Sequence, residues 1–243
     1  MQQLKRGDGV AFGIVQTIPS TVISELAVWS GFDFVIVDCE HGIVDEAAQL
    51  ACLQVAAGAG AIAGVRVKAD DFESVGRYLD HGAQFILMPG INSAKQAGQL
   101  VAASQTGPNG TRSATGSARA TRYGLSASPR PVLLAMIESA QAVDQAEAIA
   151  ATSELDGVII GPNGLSADLE CGFSDAAYVA AFEKIEAAAR QSGVLLGSKP
   201  HASFTTERLL AGGHRFIIAS ADITALRDGY RTHLDASRRN TPK

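Results

Sequence analysis

Several apolar runs in this chain end in residues that can do chemistry. Phe34-Val35-Ile36-Val37 gives way at once to Asp38, Glu40 and His41, and Gly42 follows. Val65 and Val67 flank Arg66, with Lys68 just beyond, and Leu133-Leu134-Ala135-Met136-Ile137 leads to Glu138. Val158-Ile159-Ile160 opens into Gly161-Pro162-Asn163-Gly164. Apolar, β-branched runs that release titratable groups and glycines read as parallel strands delivering side chains at their carboxyl ends. Chemistry collected at the same end of successive strands is the pattern of a barrel enzyme.

Each candidate has a chemical use and a plainer alternative. Imidazole titrates near neutral pH, so His41 beside Glu40 can serve as a general base; a strand-end histidine bonded to backbone is the other possibility. Asp38 shares the strand face of Glu40. Arg66, if it points inward, needs a substrate oxyanion or an internal acid, because an unpaired buried guanidinium is costly; it can otherwise snorkel outward. Glu138 suits a hard cation or a proton, although one carboxylate does not make a metal site. The turn at Gly161, Pro162, Asn163 and Gly164 can present backbone N–H groups to an anion or be only a turn. Asp168 belongs on the helix that follows. Cys39 lies between two acids, which raise a thiol's pKa and make it a poor nucleophile.

The elements that must position these groups alternate regularly. Strands are expected over residues 10–18, 34–37, 62–67, 85–89, 132–138, 156–160, 194–197 and 216–219, with helices over 22–29, 46–57, 70–80, 93–103, 139–150, 174–190, 205–211 and 223–234. Val44 and Asp45 lead into the second helix. Eight strand-helix units favour a closed (β/α)8 barrel over an open doubly wound sheet, and no GxGxxG turn follows the first strand. One domain is expected over residues 1–236, with a polar tail at 237–243. Residues 105–130 are rich in Gly, Ser, Thr and Arg, lack a period, and are longer than an ordinary connection.

Composition narrows the partners. A net charge of −5 and 6% aromatic residues over 243 positions leave neither a basic footprint nor a stacking platform for nucleic acid. No apolar run reaches the ~20 residues of a membrane span, and Met1 to Gly7 lack the apolar core of a signal peptide, so a cytoplasmic protein is expected. Cys39, Cys52 and Cys171 are too few and too scattered for a disulfide framework or a Cys-x-x-Cys metal site.

Taken together, these stretches resemble the HpcH/HpaI aldolase family of class II pyruvate aldolases. The likeness runs over roughly residues 10–228. It is carried by Gly31-Phe32-Asp33 with the run to His41, Val65-Arg66-Val67, Leu79-Asp80-His81-Gly82-Ala83, Gly110-Thr111-Arg112, Arg119 to Tyr123, Met136-Ile137-Glu138, and Asp156 through Ala167. The resemblance implies a (β/α)8 TIM barrel whose C-terminal helix is exchanged between subunits, in a homo-oligomer such as a trimer or hexamer. It implies cleavage or formation of a carbon-carbon bond between pyruvate, or an analogue such as hydroxypyruvate, and an aldehyde. It assigns His41 as base, Asp80 as its orienting partner, and Arg66 to polarise the keto oxygen. The backbone of Gly161, Pro162 and Asn163 would hold the substrate carboxylate, and Glu138 would bind a divalent metal (Mg²⁺, Mn²⁺, Co²⁺ or Zn²⁺). The chain departs from the family where an aspartate metal ligand is expected, since that place is Gly164; Met136 stands where many relatives carry glutamine. Two alternatives follow: a degenerate member that binds keto acids without efficient turnover, and a Schiff-base lyase using Lys68 or Lys199. Arg119 and Arg122 can meet a distal substrate carboxylate or be solvated.

Overall fold

The computed structural model describes residues 9–42 and 45–239. Val44, residues 1–7 and the end of the expected tail at 240–243 lie outside the described residues. Eight parallel strands form a closed barrel in sequence order. They are β1 (Ala11–Gln16), β2 (Phe34–Asp38), β3 (Ile62–Arg66), β4 (Phe85–Met88), β5 (Val132–Ile137), β6 (Gly157–Ile160), β7 (Leu195–Ser198) and β8 (Phe216–Ala221). The helices are α1 (Thr21–Trp29), α2 (Glu46–Gly58), α3 (Val75–Asp80), α4 (Ala94–Ser104), α5 (Ala140–Asp144), α6 (Ala146–Ala150), α7 (Pro162–Asp168), α8 (Ala176–Ser192), α9 (Thr206–Ala211) and α10 (Asp222–Arg239). This is the (β/α)8 TIM barrel that the alternation of elements predicts.

Local chemistry sets the helix starts. The side chains of Asp45, Ser93, Ser139 and Thr205 each accept a hydrogen bond from the backbone N–H three residues on, at Ala48, Gln96, Ala142 and Arg208, which satisfies an otherwise orphaned donor. Most element ends fall within one or two residues of the sequence pattern, and four departures are larger. The expected helix over 70–80 begins only at Val75, because Asp70 takes a left-handed φ of 58°. The expected helix over 139–150 is two short ones that meet at Gln145. Pro162 opens a helix of its own, α7, ahead of α8. The last helix runs on to Arg239, past position 236.

Two apolar layers hold the barrel. Outside, Val35, Val37, Val65, Ile86, Leu133 and Ile160 meet the helices. Inside, Phe34, Ile36, Phe85, Leu87, Leu134, Met136, Ile159, Leu195, Phe216 and Ile218 fill the bore. The rings of Phe34 and Phe216 stack at 3.8 Å between centroids, and Phe85 stands edge-on to both at 6.1 and 5.7 Å. Glycines make room for them: a Cβ on Gly13 would lie 2.1 Å from the Phe34 ring, and one on Gly64 2.4 Å from that of Phe85.

Side chains alternate along a strand, so the inward face continues by twos. Phe34 and Ile36 are followed inward by Asp38, Gly64 by Arg66, and Leu134 and Met136 by Glu138. The apolar plug thus ends in a polar layer at the carboxyl ends of the strands.

The long segment at 105–130 joins the end of α4 to the start of β5, so it belongs to the opposite rim. Its arginines fasten it. Arg112 donates to Asp80, Arg119 to the His81 carbonyl at 3.3 Å, and Arg130 to Asp156 at 2.8 Å. The last helix buries little against its own barrel, since among its 18 residues only Asp222 is buried. Ile223, Tyr230 and Leu234 are exposed on it, as are Val22, Leu26 and Trp29 on α1.

Candidate active site

One cavity of about 460 Å³ sits over the polar layer, lined by Asp38, Glu40, His41, Arg66, Met136, Glu138, Gly161, Pro162, Asn163, Gly164 and Lys199 among others. A roomier groove of about 640 Å³ lies beside residues 105–130, but its lining holds no histidine and Glu154 is its one acid.

Asp38 is the anchor of the site. Its Cα pairs with that of Arg66 across β2 and β3, which sets their inward side chains side by side. Arg66 grips it with both arms: Nε donates to Oδ1 at 2.9 Å and Nη2 to Oδ2 at 2.7 Å. Asp38 Oδ1 also accepts from the backbone N–H groups of Glu40 and His41 at 3.1 and 3.3 Å. Burial alone would raise the Asp38 carboxyl, but the Arg66 bonds and charge and the two N–H groups outweigh it and hold it below the usual range. Arg66 is correspondingly held above its ordinary value: burial pulls it down, and Asp38, Glu40 and Glu138 more than compensate. Among the described residues Nη1 of Arg66 makes no hydrogen bond, so one edge of the guanidinium is left for a ligand.

His41 lies on the turn that Asp38 shapes. Its Nε2 is 3.5 Å from Oε2 of Glu40, the same oxygen that lies 3.4 Å from Nε of Arg66. Its side chain is 71% exposed, which leaves the imidazole open to the cavity mouth.

Glu138 continues β5. Its Oε1 accepts the Gly90 N–H at 3.0 Å, and Oε2 lies against the bare α-carbons of α7: a Cβ on Gly161 would be 2.5 Å from it and one on Gly164 2.9 Å. Burial pushes the Glu138 carboxyl above its usual range, Glu40's charge adds to this, and the Gly90 N–H and Arg66 offset part. The Gly161 N–H is taken up by the Ile137 carbonyl at 3.0 Å and Pro162 has none. The backbone N–H groups of Asn163 and Gly164 therefore remain, without partners among the described residues, as the free donors at the start of α7.

A divalent metal fits this donor set poorly. Hard cations want several oxygen ligands in fixed geometry, and no group of three His, Cys, Asp or Glu side chains capable of holding an ion occurs among the described residues. Glu138 offers one carboxylate, half engaged by Gly90, and position 164 offers no side chain at all.

The sequence-derived candidates divide accordingly. His41, Arg66, Glu138, Gly161, Pro162 and Asn163 share the cavity. Asp80 does not line it and makes no hydrogen bond to His41 within the described chain; it closes α3 on the way back to β4, and its carboxylate accepts from Arg112. Arg66 meets its internal acid and still faces the cavity. Lys68 is exposed and absent from the lining, as are Arg119 and Arg122, whereas Lys199 is present. Cys39 is a buried thiol pushed up to about 12, by burial first and by Asp38 in addition. Asp38's double role and Glu40's bridging oxygen were missed as such, although strand periodicity already placed the two acids on one face. Thr17, also in the lining, owes its place to Asp222, which accepts from its N–H at 3.0 Å and its hydroxyl at 2.7 Å; that pairing spans 205 positions and leaves no local signal.

Comparison with known proteins bears on the family and the fold. The family model described as HpcH/HpaI aldolase/citrate lyase matches residues 19–228. The 4-hydroxy-2-oxovalerate aldolase of Novosphingobium aromaticivorans is 33% identical over 82% of this chain and 79% of its own length. The hydroxypyruvate/pyruvate aldolase of Agrobacterium fabrum is 32% identical over 87% of this chain and 83% of its own. A solved HpcH/HpaI aldolase/citrate lyase family protein from Burkholderia cenocepacia superposes with a TM-score of 0.90 at 29% identity, covering 98% of each chain. A model match over most of the residues, on a barrel shared nearly end to end, places this chain in the HpcH/HpaI aldolase/citrate lyase family.

Proposed function

We propose that the protein is a carbon-carbon lyase, an aldolase that joins or splits pyruvate, or a close analogue such as hydroxypyruvate, and an aldehyde through an enolate. The observation that carries it is the convergence of His41, Arg66 and the free N–H groups of α7 on one cavity, in a chain whose relatives are named as pyruvate and hydroxypyruvate aldolases. The keto acid's carboxylate takes the N–H groups of Asn163 and Gly164, and its keto oxygen takes the open edge of Arg66. Charge that builds on that oxygen meets a preorganised cation, commonly the largest catalytic contribution. His41, oriented by Glu40, moves the proton. Asp38 holds both catalytic groups in register. No step is assigned to the divalent metal implied by the resemblance, because the side chain missing at Gly164 leaves Glu138 alone. The reading extends to a homo-oligomer in which α10 covers a neighbouring copy.

The test is turnover. Pyruvate and a panel of short aldehydes, followed by NMR, give an aldol product with the purified protein and lose it with Arg66→Ala. Pyruvate or oxalate binding without product from any aldehyde favours the second reading, a keto-acid binder, for which the one specific observation is Gly164.

A further inference from the structure

β7 adds a cation to the inward ring. Leu195 and Gly197 belong to the face that fills the bore, the two-residue period carries that face on to residue 199, and Lys199 lines the same cavity as Arg66 and Glu138. The backbone that carries it is held from several sides. The Ser198 hydroxyl donates to the Ile160 carbonyl at 3.0 Å, and His201 and Phe204 exchange backbone hydrogen bonds at 3.0 and 2.8 Å. The His201 ring meets the Lys199 carbonyl through Nδ1 at 2.8 Å and the Tyr178 hydroxyl through Nε2 at 2.7 Å. A carbonyl only accepts, so Nδ1 carries the proton and, in the neutral ring, Nε2 accepts from Tyr178. Burial lowers the affinity of His201 for a second proton, and Phe204 stacks on the ring at 5.1 Å. The ammonium itself has no ion-pair partner among the described residues. A rigid rim thus presents a positive charge to the site without a carboxylate of its own.

The same cavity lacks a side chain at Gly164. Two carboxylates with a divalent cation carry no net charge; Glu138 with Lys199 carries none either.

We propose that Lys199 is a catalytic residue of this chain, whose ammonium binds the oxygens of a small 2-keto acid and stabilises the enolate where Gly164 leaves no ligand for a metal. The proposal rests on the aldolase reading. In the cleavage direction His41 takes the proton of the substrate hydroxyl, and that O–H pair becomes the aldehyde's carbonyl π bond. The carbon-carbon bond breaks, and its electron pair delocalises onto the keto oxygen between Arg66 and Lys199. A proton then returns to carbon and gives pyruvate. No oxidant, reductant or co-reactant is needed, and the lysine forms no bond to carbon.

Exchange of the pyruvate methyl protons in D2O, followed by NMR, reads enolate formation without knowledge of the aldehyde. The wild-type protein, stripped with EDTA, should exchange at its unstripped rate. Lys199→Met should lose about 100-fold, the scale of one oxyanion donor, with Lys199→Arg recovering part of it. Oxalate binding in EDTA, measured by calorimetry, should weaken by about tenfold or more in Lys199→Met, as expected for the loss of a charged hydrogen bond. An unchanged melting temperature shows that the variant is folded; should it melt low, Lys199→Arg and Lys199→Gln decide in its place. Exchange that EDTA abolishes and Mn²⁺ restores, wild-type rates in Lys199→Met, or a pyruvate adduct trapped on Lys199 by borohydride each overturn the proposal. Absence of exchange in every protein, with metal or without, defeats the aldolase reading itself.

Discussion

Two acids in the site carry opposite burdens. Asp38 is fully buried at its side chain yet held below its ordinary 3.8, so its contribution to stability is present above that value and is lost as pH falls through the depressed native value. Asp38→Ala strands Arg66 and should cost about 3–5 kcal/mol, read from urea unfolding at neutral pH. Glu138 is the reverse. Its native carboxyl holds a proton to higher pH than the ordinary 4.5, so the folded state loses stability as pH rises from that value through the elevated one. Glu138→Gln should therefore melt higher than the wild type at neutral pH, and the difference should vanish below 4.5. A lower melting temperature at neutral pH would mean that the ionised carboxylate supports the fold. Gly164→Asp brings a Cβ to 3.0 Å from the Cβ of Glu138; overpacking of this kind costs about 1–3 kcal/mol. The variant should lose that stability while gaining calorimetric Mn²⁺ binding.

At the scale of elements, the strands act as rails that carry a two-residue period from an apolar plug to a charged rim. The plug depends on glycine as much as on phenylalanine. Gly13→Ala would set a methyl carbon 2.1 Å from the Phe34 ring and should lower stability by about 1–3 kcal/mol, seen as an earlier urea midpoint. Most of this architecture was legible in the sequence, because a β-branched run and an amphipathic helix are local patterns. Asp38 and Glu138 were legible for the same reason, each standing two residues beyond an inward apolar neighbour, Ile36 and Met136, whereas the sequence left the direction of Arg66 open. Other features were not. The stretch from Gly161 to Gly164 read either as a helix start or as a plain turn, and α7 starts on Pro162, a residue suited to the first position of a helix. The partner of Asp80 is 32 positions away, and no short-range spacing tells that Arg112 holds it. Lys68 and Lys199 read alike as lysines near strand ends, and only the parity of β7 sets Lys199 on the inward face.

On the scale of the whole molecule, the last helix is the part that a single chain leaves unsatisfied. Ile223, Tyr230 and Leu234 on α10 and Val22, Leu26 and Trp29 on α1 are large apolar residues open to water, a pattern that marks an interaction surface. Light scattering after gel filtration should give a mass of more than one chain, and replacing Leu26 and Trp29 with aspartate should return it to one. No described helix is long and apolar enough to cross a membrane. At the barrel's carboxyl rim β8 runs directly into α10 through Asp222. Deuterium uptake into the methyl group of pyruvate, compared between the wild-type protein and His41→Ala, tests most directly what that rim does to a keto acid. Uptake by the wild type that falls about 100- to 10,000-fold in the variant, the range of a lost general base, is the predicted result; equal uptake in both would contradict it.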